Sequence, residues 1–229
     1  MAVYLIGGEL QSWDLQKGLA LTLLVLLPAM AFACAWRAPG RGALSTELGL
    51  RAAPPLSLLG ALLCIPALVV GISKLGELQQ QLLPIPRAMA NTSALESLFG
   101  VLSPWMLVLL FAAAPAIGEE LLYRGALTSA LRRNLSPLRT ILIQAAFFAA
   151  AHASIYRLIP TFLMGLVLGY LRLSTKSLMA CVVVHCGYNA ALTLEAAEHL
   201  TWLDRAWGPH LAWTALPGIA LLRLGSRRI

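Results

Sequence analysis

The longest apolar stretches of the chain exclude an ordinary soluble fold. Segments 18–36 and 52–73 contain no charged residue, and a helix needs about 20 mostly apolar residues to cross a bilayer core of roughly 30 Å. Only 12% of the residues are charged, and the mean hydropathy is +0.77, whereas a soluble domain carries about 25% charged residues. The apolar surface must therefore face lipid, and we expect an all-α integral membrane protein.

Seven apolar segments are candidate membrane spans. They cover residues 18–36, 52–73, 104–131, 140–156, 158–171, 177–194 and 206–222. The pattern predicts a polytopic bundle of about seven spans, and residues 74–100 are predicted to form an external loop with a short interfacial amphipathic helix. The length favours one membrane domain over residues 1–229. Within it, residues 1–103 hold the first spans and the loop, 104–195 a functional core in the third to sixth spans, and 196–229 the last span.

The basic residues indicate how the chain is oriented. Alternating spans collect most of them on one face, which carries Arg37, Arg41, Arg51, Arg132, Arg133, Arg139, Arg172, Lys176, Arg223, Arg227 and Arg228. Because cytoplasmic loops are enriched in Lys and Arg, we expect a multi-pass protein with a cytoplasmic C-terminus. The net charge of +7 is spread over the ends of apolar runs rather than gathered in a patch, so nucleic acid is not an expected partner.

The four cysteines do not suggest a metal site or a disulfide framework. Cys34, Cys64, Cys181 and Cys186 all lie in apolar stretches without metal-ligand spacing. We expect them to be buried, inert thiols.

Three of the candidate spans contain polar side chains, which are costly in lipid and mark functional sites. They are Glu119, Glu120 and Arg124 in the third span, His152 in the fourth, and His185 and Asn189 in the sixth. Counting from the nearest cytoplasmic cation at about 1.5 Å per residue places Glu119, His152 and Asn189 each roughly 20 Å from that face. Three helices therefore bring polar groups to one layer near the middle of the membrane, which predicts a site.

Spacing within each helix agrees with a shared site. Glu120 and Arg124 are i,i+4 and can pair on one helix face, as can His185 and Asn189. Glu119 lies about 100° around the helix from Glu120, so it can point into the cavity while Glu120 holds Arg124. Taken singly, each group also has a structural interpretation, as an ion pair or as a hydrogen bond between helices.

The sequence GLVLG, with Gly165 and Gly169, has small residues four positions apart. This spacing predicts close helix packing rather than a phosphate-binding loop.

The ordered set EExxxR, FxxxH and HxxxN on successive apolar segments resembles the intramembrane CAAX-protease and bacteriocin-processing group, which includes the type II CAAX prenyl endopeptidases. The resemblance covers about residues 104–195. It implies an intramembrane endopeptidase acting on a peptide or membrane-protein substrate. The short chain and short loops favour a bacterial inner-membrane location.

The resemblance also implies a role for each residue of the set. Glu119 with His152 would activate a water, and His185 with Asn189 would stabilise the oxyanion. Glu120 would pair with Arg124, fix the helix that presents Glu119 and assist at the water. Phe148, which opens the FxxxH motif, would support the site.

Two alternatives remain beside this interpretation. Two histidines with one or two glutamates can ligate zinc, but the HExxH motif is absent and no two histidines are i,i+4, so we prefer a metal-free mechanism without a cofactor. The second alternative is a non-proteolytic scaffold or transport-associated module that keeps the polar constellation. A proton-coupled transporter also places carboxylates and histidines at the midplane, although the paired interrupted helices of transporter repeats are not evident.

Overall fold

The structure, a computed structural model, describes residues 17–18, 21–36, 44–86, 99–200, 210 and 212–225. Every regular element in these ranges is helical, which confirms the all-α prediction for this part of the chain. The main helices are α1 (Leu27–Trp36), α2 (Leu44–Leu48), α3 (Pro55–Leu82), α4 (Pro104–Arg132), α5 (Pro137–Ala151), α6 (Leu158–Thr175), α7 (Leu178–Ala196) and α8 (Ala215–Gly225). A π-helical turn, Thr22–Leu26, precedes α1, and 3₁₀ turns at Ile155–Arg157 and Ala212–Thr214 precede α6 and α8.

Four helical segments are long and apolar enough to cross a membrane. They are α3, α4, the segment Ile155–Thr175 that contains α6, and α7. Helices α5 and α8 are apolar but shorter, with 15 and 11 residues. The chain is thus an integral membrane protein, whereas the count of seven spans stays a prediction.

Two helix ends differ from the sequence prediction. Helix α3 continues to Leu82, so the first part of the predicted loop 74–100 is wrong, and the Lys74 amine lies 2.9 Å from the Glu77 carboxylate across the i,i+3 step. Residues 87–98 of that loop lie outside the described residues. Helix α5 ends at Ala151 rather than 156, because Ala153 adopts a left-handed backbone conformation with φ of 48°.

Prolines define where the long helices begin. Pro55, Pro104 and Pro137 are each the first residue of their helix, the position where a missing N–H costs nothing and a fixed φ favours the helix. At the start of α5 the Ser136 hydroxyl also accepts a hydrogen bond from the Arg139 backbone N–H. These starts agree with the predicted spans to within a few residues.

Helix α4 is not a regular α-helix. Its segment Ala114–Glu120 is α-helical, but Leu109–Ala113 before it and Leu121–Leu127 after it are π-helical. Such wide turns are rare and occur frequently at functional sites. The two glutamates stand at the end of the regular segment, immediately before the second wide turn.

Helices α5 and α6 pack closely through the GLVLG glycines. A Cβ on Gly165 would lie 2.9 Å from the Ala145 Cβ, and a Cβ on Gly169 would collide with the Gln144 side chain. The predicted small-residue packing face is therefore confirmed. This close packing brings the α6 backbone against α5 beside the Gln144 side chain.

Candidate active site

The two adjacent glutamates are both buried. Glu119 is 8% exposed, and both Glu120 and Arg124 are fully buried. Arg124 Nη1 donates a hydrogen bond of 2.8 Å to Glu120 Oε1. The ion pair predicted from the i,i+4 spacing is therefore present, although the backbone between the two residues includes a π-helical turn.

His185 on α7 lies between the two carboxylates. Its Nδ1 is 2.8 Å from Glu120 Oε1, and its Nε2 is 3.9 Å from Glu119 Oε2. An ionised carboxylate only accepts hydrogen bonds, so Nδ1 carries the proton in this contact. When the ring is neutral, Nε2 is then the acceptor nitrogen, and it lies on the side of Glu119.

Phe148 on α5 joins the aromatic and cationic parts of the site. Its ring centroid is 5.0 Å from that of His152 and 5.8 Å from that of His185, both in edge-to-face orientation. The Arg124 guanidinium carbon lies 4.3 Å from the same centroid, within the range of a cation–π interaction. Phe148 therefore contacts three of the residues that the sequence assigned to the site.

His152 forms the C-cap of α5 and is partly buried. Its Nδ1 donates to the Phe148 carbonyl oxygen at 2.9 Å, because a carbonyl can only accept, and Nε2 is left as an acceptor. Within the described residues, His152 makes no ion pair with either glutamate, whereas His185 lies within ion-pair distance of both. Of the two histidines, His185 is thus the one within ion-pair distance of both glutamates, which depth counting could not predict.

Asn189 lies one turn beyond His185 on α7 and is partly buried. The i,i+4 spacing places it on the same helix face as His185. No hydrogen bond joins its side chain to the described part of the chain. Its amide is therefore available to a bound molecule.

Gln144 is a buried polar residue that the sequence analysis missed. Its Nε2 donates to the carbonyl oxygen of Gly165 at 2.7 Å, and the same oxygen accepts from Arg124 Nη2 at 3.4 Å. Gln144 precedes Phe148 by four residues and His152 by eight, so it lies on the α5 face that carries the site. Applying the rule for polar residues in apolar segments to every amide would have found it.

Three buried polar atoms of the cluster lack a hydrogen-bond partner in the described structure. They are Glu120 Oε2, Arg124 Nε and Gln144 Oε1. Buried polar groups usually have hydrogen-bond partners. The cluster therefore has one donor and two acceptors that are unused in the described structure.

The zinc alternative lacks a ligand set in this part of the chain. Among the described residues, no three side chains of His, Cys, Asp or Glu are grouped so that they could hold a metal ion, whereas a catalytic zinc takes three protein ligands. Cys64, Cys181 and Cys186 are free thiols. Cys181 is buried as predicted, whereas Cys64 and Cys186 are only partly buried, so the prediction of buried thiols is wrong for these two. The side chain of Cys34 lies outside the described part.

Comparison with known proteins gives one result. The family model for type II CAAX prenyl endopeptidase Rce1-like proteins matches residues 100–191. That segment runs from the start of α4 almost to the end of α7, and it contains Glu119, Glu120, His152, His185 and Asn189. No curated protein and no solved structure matches the chain. Residues 100–191 of the chain are therefore similar to the Rce1-like family of type II CAAX prenyl endopeptidases.

Proposed function

We propose that the chain is an intramembrane endopeptidase in which Glu119 is the general base. The observation that carries the proposal is the position of His185, whose ring nitrogens contact Glu120 and face Glu119 in a buried cluster. Glu119, Glu120 and His185 all fall in the segment that matches a peptidase family. The domain boundaries, with a catalytic core at 104–195 in one domain of 229 residues, belong to the same proposal.

The gap between Glu119 and His185 suits a reacting water. At 3.9 Å, the two atoms are too far apart for a direct hydrogen bond, but one water can bond to both. Glu119 takes a proton from this water, and the water oxygen attacks the scissile carbonyl carbon. The proton then passes to the amide nitrogen as the C–N bond breaks. General-base catalysis of this kind contributes about 10²–10⁴-fold in rate.

The two histidines present similar acceptors to this water. Nδ1 of His152 is committed to the Phe148 carbonyl, and Nδ1 of His185 to Glu120. Each neutral ring therefore offers Nε2 as an acceptor. A water has only two O–H donors and one of them goes to Glu119, so one ring at a time accepts the other. We therefore add His185, whose Nε2 lies 3.9 Å from Glu119, beside His152 as a group that orients the water.

Asn189 supplies the oxyanion donor. Its amide N–H₂ group is a donor that needs no change of protonation, and one preorganised donor is worth about 10²–10³-fold in rate. His185 can join it only when Nε2 also carries a proton. Its share of the oxyanion role therefore requires that Glu119 pass the water's proton on to Nε2 before that proton reaches the amide nitrogen.

Glu120, Arg124 and Phe148 are positioning residues in this scheme. Glu120 Oε1 accepts from both Arg124 and His185, so it fixes the tautomer and the orientation of the ring. Arg124 in turn lies against Phe148, which packs on both histidines. These contacts hold the groups that touch the substrate and the water.

The substrate class follows from the family and from the burial of the site. We propose a peptide or a membrane-protein tail that reaches the cluster from the membrane, at the bacterial inner membrane and with the C-terminus of the enzyme in the cytoplasm. Unmodified peptides and membrane-protein tails are the first class to test, because prenylated proteins are not expected at a bacterial inner membrane. Prenylated peptides ending in a CAAX sequence, for which the family is named, are the second.

The test compares two matched substitutions in the purified full chain in lipid nanodiscs. We expect Glu119→Gln to lower peptide cleavage at least about 100-fold, because the amide keeps the shape of the side chain but cannot take a proton. Glu77→Gln, on the exposed end of α3, is the control and should cleave like the parent chain. Cleavage of prenylated, unprenylated and tail peptides is followed by mass spectrometry, and thermal unfolding verifies the fold.

Two results would contradict the proposal. If Glu119→Gln cleaves as fast as Glu77→Gln, Glu119 is not the base. If a chelator abolishes cleavage and Zn²⁺ restores it, the zinc mechanism replaces the metal-free one. A cellular phenotype that survives Glu119→Gln, with no peptide cleaved by either chain, would favour the scaffold or transport alternative.

A further inference from the structure

A strongly basic cavity lies at the ends of the spanning helices, apart from the glutamate cluster. Its volume is about 510 Å³, within the usual range of ligand sites. Five cations and one carboxylate line it: Arg51, Arg132, Arg133, Arg172, Lys176 and Glu47. At neutral pH this set carries an excess of four positive charges.

Most of these cations are hydrogen-bonded to neutral groups. Arg51 Nε donates to the Lys176 carbonyl at 2.7 Å, and Arg132 Nη1 to the Leu135 carbonyl at 2.5 Å. Only Arg133 is ion-paired within the described residues, to Glu47 at 3.1 Å. The cavity is therefore not neutralised by the part of the protein that surrounds it.

Arg172 forms the floor of the cavity. It is 7% exposed, and its Nε and Nη2 donate to the carbonyls of Arg124 and Glu47, which leaves further N–H donors of the guanidinium. Gly49, with φ of 72°, packs against this guanidinium so closely that a Cβ there would lie 2.5 Å away. The backbone at Gly49 is in turn fixed to α7, since its carbonyl accepts from the Leu178 N–H at 2.9 Å. The cation is thus held in place before any ligand arrives.

The position of the cavity indicates the source of the ligand. Arg132 is the last residue of α4, Lys176 follows the last residue of α6, and Arg51 lies just before α3. The ends of spanning helices lie at the depth of lipid headgroups. Leu50, beside Arg51, is 52% exposed and offers apolar surface for an acyl chain. Basic pockets between spanning helices are a known form of anionic-lipid site.

We propose that this cavity binds the phosphate headgroup of an anionic membrane lipid. Arg172 contacts the phosphate from below, and Arg51, Arg132 and Lys176 surround it. The site is separate from the proposed peptidase chemistry, so its occupancy can be measured without any substrate.

Lipid binding by the purified full chain tests the proposal. Native mass spectrometry compares binding of phosphatidylglycerol with that of phosphatidylcholine, and we expect a clear preference for the former. Each basic residue near a membrane surface contributes about fivefold in affinity, so the double variant Arg132→Gln/Lys176→Gln should bind phosphatidylglycerol roughly 25-fold more weakly. Both side chains are exposed, so the substitutions leave the packing of the helices intact.

Arg139→Gln is the matched control, because Arg139 is exposed at the start of α5 and does not line the cavity. It should bind phosphatidylglycerol like the parent chain. Equal weakening by Arg139→Gln would mean diffuse attraction rather than a site, and equal binding of both lipids would overturn the proposal. If millimolar inorganic phosphate displaces the lipid completely, the ligand is a free phosphate and the lipid assignment is wrong.

Discussion

Replacing Arg124 with methionine removes one partner of an ion pair that solvent does not reach. Both side chains are 0% exposed and their charged atoms are 2.8 Å apart. Breaking a buried pair from one side costs about 3–5 kcal/mol, because the remaining charge stays buried without compensation. Loss of the contact between the guanidinium and the Phe148 ring is included in this range. We therefore expect Arg124→Met to lower the free energy of unfolding by about 3–5 kcal/mol.

The measurement is reversible unfolding of the full chain in bicelles, with two comparison variants. Lys74→Met removes a cation from an ion pair whose side chains are 70% and 56% exposed, and it should cost less than about 1 kcal/mol. The double variant Glu120→Gln/Arg124→Met leaves no buried charge at the pair, so it should be more stable than Arg124→Met alone. If Arg124→Met costs no more than Lys74→Met, or if the double variant is the least stable of the three, the electrostatic account of this pair is wrong.

Two further predictions concern the backbone around the site. Gly165→Leu should lower the free energy of unfolding by about 1–3 kcal/mol through overpacking against Ala145. The control Gly71→Ala, with nothing within 4 Å of the added Cβ, should change the free energy of unfolding by less than about 1 kcal/mol. Equal melting temperatures of the two variants would contradict the close packing of α5 and α6. Ala153→Gly should raise stability by about 1 kcal/mol, because glycine adopts the left-handed conformation without strain, and Ala153→Val should lower it. Indistinguishable melting curves for these two variants would argue against a left-handed turn after His152.

The sequence predicts the partners along one helix better than the partners between helices. The Glu120–Arg124 pair and the Gly165–Gly169 packing face follow from i,i+4 spacing, which fixes a shared helix face whatever the neighbouring helices do. The continuation of α3 to Leu82 was not predicted because the apolar pattern that marks a span ends at the membrane surface. The helical hydrogen bonds continue beyond that point.

Contacts between helices depend on how each helix is rotated about its own axis. Counting residues gives the depth of a side chain in the membrane but not this rotation. Glu119, His152 and His185 were all placed in one layer, but whether His152 or His185 faces Glu119 depends on how α5 and α7 are rotated about their axes. The π-helical turns of α4 were equally out of reach, since no residue pattern in Leu121–Leu127 distinguishes a wide turn from a regular one. The roles of these residues in catalysis remain predictions for the experiments above.

The wide turn at Leu121–Leu127 separates two registers within one helix. An α-helix advances by about 100° per residue, so in a regular helix the direction of Glu120 would dictate the direction of every residue down to Arg132. A π-helical turn takes up one residue more than an α-turn and shifts the register of every residue after it. With this shift, the upper part of α4 presents its carboxylates to α7 while the lower part turns Arg132 towards the basic cavity.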